Sequence, residues 1–597
     1  MRQKLLVFIL ALTCLQPVYA LSGNAYMERF QRYQNWSENL PELPDEAFYR
    51  FISDDTPLAV KLRNKWLYHL ASKKDWREFD KWYRPGDDAF LRCFAARAKL
   101  ETGHTEEALS LAKTLWMQGN SLPQACDKLF DILFSKKMMD NALVSERIVL
   151  ALEARNLPLA RYLLTRMNPP RMDDTKRLHA IYQNPATILN LPRGPLYSSF
   201  YLYGLTRLVS LNMDKAITLW NNPKTRTMLS EHQQQQFLAQ LTLYKAMRGH
   251  ADTAQWFSRI KSPWYNDTLL GWQIRHALKH HQWQAVLKGI DKLQDKDNAC
   301  WRYWRARALE ALGKKEDAKV LYTALSSERN YYGFLASRHV KSPPQFQNEP
   351  VVTDLKRLKP YAPVTNTIQS LYLNQKPVEA ARLLNEFSSE LPKRDRSALA
   401  WWLTDTLQWH ARAVYLSSST DMLNNQLAVR FPLAWKDSVN RYAQKYRIPP
   451  EFVYAVIRQE SAFHHEIVSS AGAMGLMQIL PQTGKVVARR EHIPFDGKNP
   501  LFSPTKNINI GVAYLEELAR RFGRHPVLMA AAYNAGPRQV RYWLSNHPSN
   551  PMDIWIETLP WQETRNYLKN IIAFCAVYQY RLDKKPDLKP FLKPVSS

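Results

Sequence analysis

The chain has 597 residues, with 82 Lys and Arg against 54 Asp and Glu, a formal charge of +28. Hydrophobic residues make up 45% and glycines number only 18, which excludes a disordered or collagen-like chain and disfavours a β-rich enzyme built on tight glycine turns. The charge calls for an anionic partner without saying which one.

Residues 1–20 read as a secretory signal peptide. Arg2 and Lys4 form the basic start, Leu5 to Leu15 is apolar but too short for a normal span, and Val18-Tyr19-Ala20 is a cleavage site of small-residue type. Ala11-Leu12-Thr13 before Cys14 is a poor lipidation signal. Export to the periplasm is therefore expected, without a membrane-spanning segment. Of the later cysteines, Cys93 and Cys126 lie 33 apart, about one helical hairpin. That spacing can set them side by side on neighbouring hairpins as a disulfide, which an oxidising compartment permits; two buried thiols are the alternative.

The next several hundred residues repeat. Ala98-x4-Gly103-x4-Ala108 returns as Ala308-x4-Gly313-x4-Ala318, and more weakly as Tyr244-x4-Gly249-x4-Ala254. Each reads as a helix, a glycine stop and a second helix, with small residues where helices touch. Stacked hairpins of this kind bury their apolar faces on one another and make a solenoid. The segment Ser342–Pro350, with three prolines, breaks the pattern. Short amphipathic helices resume from Leu355, and a second break falls at Phe431-Pro432. Seven of the 18 glycines then crowd between Gly472 and Gly536. The expected fold is all-α: a helical superhelix over 21–341, a helical linker domain over 342–432 and a C-terminal domain over 433–597.

No phosphate-binding loop, dinucleotide fingerprint, serine elbow or His-Glu-x-x-His motif occurs. Neither cofactor nor metal is expected. His276 and His280 stand at helical spacing without an acidic companion, and read as structural. The C-terminal domain is more informative. From Pro449-Pro450 the positions Phe452, Val453, Val456, Ile457 and Glu460 fall on one helical stripe. A carboxyl that continues an apolar stripe loses solvation, which favours its protonated form and suits a general acid. A solvated or Arg458-paired glutamate is the plainer reading. Ser469 to Gln478 is rich in small residues and fits either a groove for an amide-bearing ligand or a tight helical connection. The polar start of Asn507-Ile508-Asn509 looks like helix capping. Tyr533 closes a tightly packed helix before Gly536-Pro537, and Glu563 sits at the start of the last helix, where a carboxylate suits the dipole.

Taken together, Glu460-Ser461, Gly472-Ala473-x-Gly475-Leu476-Met477-Gln478, Asn507-Ile508-x-x-Gly511-x-x-Tyr514-Leu515 and Ala532-Tyr533-Asn534-Ala535-Gly536-Pro537 resemble the lysozyme-like catalytic domain of the lytic murein transglycosylases. Glu557 and Glu563-Thr564-Arg565-x-Tyr567 match that family's last segment. The solenoid and Tyr331-Tyr332-Gly333-Phe334-Leu335-Ala336 resemble its soluble, large periplasmic subtype. His464-His465 after Phe463, and Arg538 after Pro537, depart from the family pattern beside the motifs.

The resemblance implies a peptidoglycan lyase that cuts the β-1,4 bond between N-acetylmuramic acid and N-acetylglucosamine without water, leaving 1,6-anhydromuramic ends. Glu460 is implied as acid and then base, with Ser469, Met477, Gln478, Tyr533, Asn534 and Glu563 as substrate-binding residues. The implied partners are peptidoglycan glycan strands and cell-wall enzymes, with no nucleic acid, and the chain is expected to be a monomer. Glu466, Glu491 and Asp496 are candidates for a second carboxylate, so a goose-type lysozyme-like hydrolase stays open, as does a non-catalytic wall-binding scaffold.

Overall fold

The fold is built from one repeated local event. The helix Ala89–Glu101 ends at Thr102, Gly103 takes a left-handed φ of 92°, and the helix Thr105–Trp116 begins two residues later. A Cβ at Gly103 would meet nothing within 4 Å, so handedness rather than crowding calls for glycine there. Ala98 and Ala108, both fully buried, let the two helices touch. The same turn recurs at Gly313 (φ 81°), between Ala299–Ala311 and Lys315–Leu325, and at Gly249 (φ 70°), between Glu231–Arg248 and Thr253–Phe257. All three sequence repeats are thus helix–glycine–helix units.

This computed structural model describes residues 23–419, 421–496, 499–546 and 551–594. The signal-peptide reading of residues 1–20 lies outside them. Among the described residues β structure is limited to two isolated bridges, Val468 with Met474 and Met474 with Ile479. No described helix is long and apolar enough to cross a membrane. The architecture is all-α, a helical superhelix followed by further C-terminal helices. Cys93 and Cys126, both fully buried, form a disulfide with Cα atoms 5.0 Å apart, tying the helix Ala89–Glu101 to Ala125–Ser135.

Contacts divide the chain into two compact units. Of the described residues, those up to Leu62 together with Asn348–Ala434 form one, and Arg63–Gln347 together with those from Trp435 onward form the other. The first helices thus group with the segment after the proline break, although they precede the hairpin repeats in sequence. Inside the smaller unit Tyr26 packs on Phe387, Lys61 pairs with buried Glu386, and Arg357 and Tyr361 both hold Asp395.

In the larger unit the hairpin array grips the C-terminal helices through two buried carboxylates. Glu557, on the helix Met552–Thr558, accepts from Arg275 Nη2 at 2.8 Å and from the Tyr332 hydroxyl at 2.7 Å, and pairs with Lys569 Nζ at 2.8 Å. Burial alone raises a carboxyl's proton affinity, but the two cations prevail and hold Glu557 well below the usual range. Asp553, one turn earlier, accepts from the Tyr303 hydroxyl at 2.8 Å and from Arg307 Nε at 3.2 Å. Arg275, Tyr303, Arg307 and Tyr332 lie on the array's last helices. The Tyr331–Ala336 segment therefore earns its place by this contact: its helix, Tyr331–His339, is buried from Tyr331 to Ser337.

Candidate active site

Pro450 opens the helix Pro450–Glu460, whose residues Phe452 to Ile457 are all buried. Glu460 is its last residue, at the end of the apolar stripe. The chain then turns sharply, with Ala462 and Phe463 both at positive φ (47° and 71°) and the Ser461 hydroxyl accepting from Phe463 N at 3.1 Å. This turn leaves the Glu460 carboxyl half-buried against the helix Gln562–Arg581. There the hydroxyl of Tyr567 donates to Glu460 Oε1 at 2.8 Å. Burial pushes the Glu460 carboxyl from its ordinary 4.5 up to about 7; the hydrogen bond from Tyr567 opposes this and the charge of Glu563 adds to it. The group is therefore balanced between acid and base near neutral pH. Tyr567 is itself buried and held well above its usual range, so it stays a donor.

A pinned loop forms the next part of the site. Gly475 N donates to Ile467 O at 3.0 Å, and Met474 and Ile479 exchange both backbone hydrogen bonds at 3.0 Å. Asn507 holds this loop from below. It is fully buried; its Nδ2 donates to Met474 O at 3.0 Å and Leu501 O at 2.8 Å, and its Oδ1 accepts from Met477 N at 2.8 Å. The capping expected of Asn507 is not what it does: the helix Pro504–Arg521 starts three residues earlier, after Ser503. Gly475 (φ 77°) is required twice over, because a Cβ would also lie 2.2 Å from Leu501 O and 2.3 Å from Asn507 Nδ2.

The substrate-binding candidates divide. Tyr533 is half-buried; its hydroxyl donates to Met477 O at 2.7 Å, and Glu460 is its strongest charged neighbour. Asn534 accepts from Thr564 Oγ1 at 2.7 Å and its Nδ2 reaches Glu563 Oε1 at 3.4 Å, with Glu563 exposed. Gln478 turns its amide N–H groups inward to Ile467 O and Gly475 O (3.1 and 3.0 Å), which leaves its side-chain oxygen for a ligand. The Ser469 hydroxyl accepts from Ala473 N at 3.0 Å within the loop. Among the described residues no hydrogen bond joins Ser469 or Gln478 to Glu460. The Met477 side chain is fully buried, and its sulfur occupies the space that a Cβ on Gly511 would fill. Its backbone oxygen is the group that Tyr533 contacts by a hydrogen bond.

The other carboxylates considered are engaged elsewhere or exposed. Glu491 pairs with Arg490 at 2.8 Å, Asp496 with Lys506 at 3.1 Å, and exposed Glu466 lies 3.8 Å from His465. The direct partner of Glu460, Tyr567, entered the sequence pattern only as the end of a motif. Its role depends on a contact across 107 residues.

Comparison with known proteins fits this geometry. Residues 437–556 match the Transglycosylase SLT domain family, a span that holds Glu460, the pinned loop and Tyr533 but ends before Glu563 and Tyr567. The soluble lytic murein transglycosylase of Escherichia coli K12 is 28% identical over 579 residues, covering 94% of this chain and 88% of that protein. The solved structure of an inactive mutant of a lytic transglycosylase from Pseudomonas aeruginosa has a TM-score of 0.84 at 28% identity, covering 96% of this chain and 95% of that one. The 70-kDa soluble lytic transglycosylase of Escherichia coli has a TM-score of 0.76 at 26% identity, with coverages of 96% and 94%.

Proposed function

We infer that this chain, a relative of the soluble lytic murein transglycosylases along almost its whole length, is a lytic transglycosylase that cleaves peptidoglycan. The observation that carries the mechanism is a single carboxyl, Glu460, which burial keeps protonatable near neutral pH and which Tyr567 orients.

Glu460 gives its proton to the glycosidic oxygen between N-acetylmuramic acid and N-acetylglucosamine. The C1–O bond breaks and the departing sugar leaves as an alcohol. The acetamido oxygen of the muramic residue bonds to C1 and carries the positive charge. Glu460, now a carboxylate, takes the proton from the C6 hydroxyl of the same residue. O6 attacks C1, the acetamido oxygen is released, and the 1,6-anhydro ring closes with Glu460 protonated again. Attack from within one sugar has a high effective concentration, which favours it over water. Tyr533, next to Glu460, is suited to orient the acetamido group, while Asn534, Glu563 and the oxygen of Gln478 line the groove. Ser469 supports it through the loop turn.

Glu491 and Asp496 are held in ion pairs with Arg490 and Lys506, and the carboxylate that acts on Glu460, Glu563, is hydrogen-bonded to Asn534 at the groove edge; this supports ring closure with Glu460 as the acting acid and base. We further propose 433–597 as the catalytic domain, 342–432 as a linker domain and 21–341 as the superhelix, in a monomer exported to the periplasm. Mass spectrometry of fragments released from purified sacculi tests the reaction. Anhydromuramic ends from the wild type and none from Glu460→Gln are expected; reducing ends would make the chain a hydrolase.

A further inference from the structure

Far along the chain from Glu460, the larger unit contains a cavity of about 1,100 Å³. Its walls come from the helices Asn141–Glu153, Pro195–Leu211 and Glu231–Arg248 and the start of Asp267–Lys279. Hairpin stacking explains the position, because long helices of successive repeats present one face to a common space.

The lining is not that of an unfilled core. Tyr182, Tyr203, Tyr244 and Trp264 give flat apolar faces with a polar tip. The guanidinium of Arg207 lies 4.0 Å over the Tyr182 ring and spends only its Nε on the protein, donating to Tyr182 O at 3.0 Å. Exposed Arg155 makes one long contact, 3.4 Å to the Tyr244 hydroxyl. Both cations keep donors for an anion, and Arg matches carboxylates in a fixed fork. Glu153, the acidic residue on this wall, accepts from Gln236 at 2.9 Å. Gln240 and the Tyr203 hydroxyl make no hydrogen bond to another described residue, so amide and phenol groups face the space unspent. The volume stands at the upper end of the range for ligand sites, about 300 to 1,000 Å³, which gives room for more than one sugar ring.

We propose that this cavity is a second peptidoglycan-binding site, where the aromatic faces take the sugar rings, the amides take acetamido groups and Arg155 and Arg207 take the carboxylates of the stem peptide. It holds the polymer on the hairpin array while another part of the strand is cut. The proposal rests on the reading of peptidoglycan as substrate.

Turnover of intact sacculi and of a soluble fragment of two disaccharide units separates the two claims. The full-length chain with Arg155→Glu and Arg207→Glu is compared with a charge-matched control, Lys288→Glu and Lys319→Glu, both at exposed positions, on the helices Trp283–Asp291 and Lys315–Leu325. Losing two charge-assisted contacts lowers sacculus turnover, and sacculus affinity in a Glu460→Gln background, by at least about tenfold relative to the control. The short fragment is turned over at the wild-type rate. Equal sacculus turnover in the two double variants overturns the proposal, and so does a parallel loss on the fragment. A gentler variant, Gln240→Leu, keeps the charge and removes one amide; it is expected to weaken sacculus affinity alone, and no change in any variant that melts like the wild type sinks the site. A wild type inert on both substrates overturns the substrate reading itself.

Discussion

A carboxyl that protonates a glycosidic oxygen has to be loaded before the sugar arrives and unloaded when the C6 hydroxyl must give up its proton. Glu460 meets both needs because burial outweighs the Tyr567 hydrogen bond and sets its proton affinity at about 7. In the proposed reaction the acid form is the one that starts the cleavage. kcat/KM is therefore expected to fall as pH rises through about 7, along a limb set by one proton. Because the Tyr567 hydrogen bond stabilises the charged form, Tyr567→Phe moves this limb to higher pH as well as lowering the rate. A pH–rate profile of both proteins checks the sign, and a limb that stays in place or moves down contradicts it. The spacing of Phe452, Val456 and Glu460 made the desolvation of Glu460 legible in sequence. The hydrogen bond was not, because nothing local in Gln562–Arg581 says that Tyr567 turns toward a helix end 107 residues away.

At the level of elements, the site depends on packing that composition only hinted at. Small residues from Ser469 to Gln478 suggested a close approach of backbones, and Gly475 and Gly511 provide it: the first admits Asn507 beneath the loop, the second admits the Met477 sulfur. The burial of the Met477 side chain beneath the loop was not legible, since an apolar residue beside a groove and one beneath it look alike in sequence. The clasp at Glu557 is a second element-scale feature. Its carboxylate satisfies Arg275 and Lys569 together in a dry setting, so Glu557→Gln leaves two buried cations uncompensated and is expected to cost about 3–5 kcal/mol. The folded-state proton affinity of Glu557 is depressed. Its stabilisation is thus present above the unfolded value near 4.5 and lost as pH falls below it toward the folded value. Denaturant melts of both proteins from about pH 7 to about pH 3 should show a large gap that narrows on acidification. A gap that does not change with pH contradicts the assignment.

For the molecule as a whole, glycine distribution traced a hairpin array followed by a loop-bearing domain, and the three Gly-centred repeats fold as that pattern predicts. What it could not trace is how non-adjacent segments combine. Residues up to Leu62 group with 348–434 through contacts such as Tyr26 on Phe387, which no periodicity announces. The Cys93–Cys126 spacing was readable because it equals about one hairpin. Closing a loop of that length stabilises by about 3–4 kcal/mol, so the Cys93→Ala and Cys126→Ala double variant is expected to melt lower by a corresponding margin, and an unchanged melting temperature under reducing and oxidising conditions contradicts the bond's role. The charge of +28 becomes intelligible once the partner is a wall polymer bearing carboxylates. In the proposed mechanism one protonatable carboxyl at a helix end closes a ring on the sugar it has just cut. Digestion of purified sacculi by the wild type and by Glu460→Gln, with mass spectrometry of the soluble products, tests it most directly. The expected result is 1,6-anhydromuramic ends from the wild type and none from the variant; reducing ends from the wild type, or undiminished release by Glu460→Gln, would overturn the mechanism.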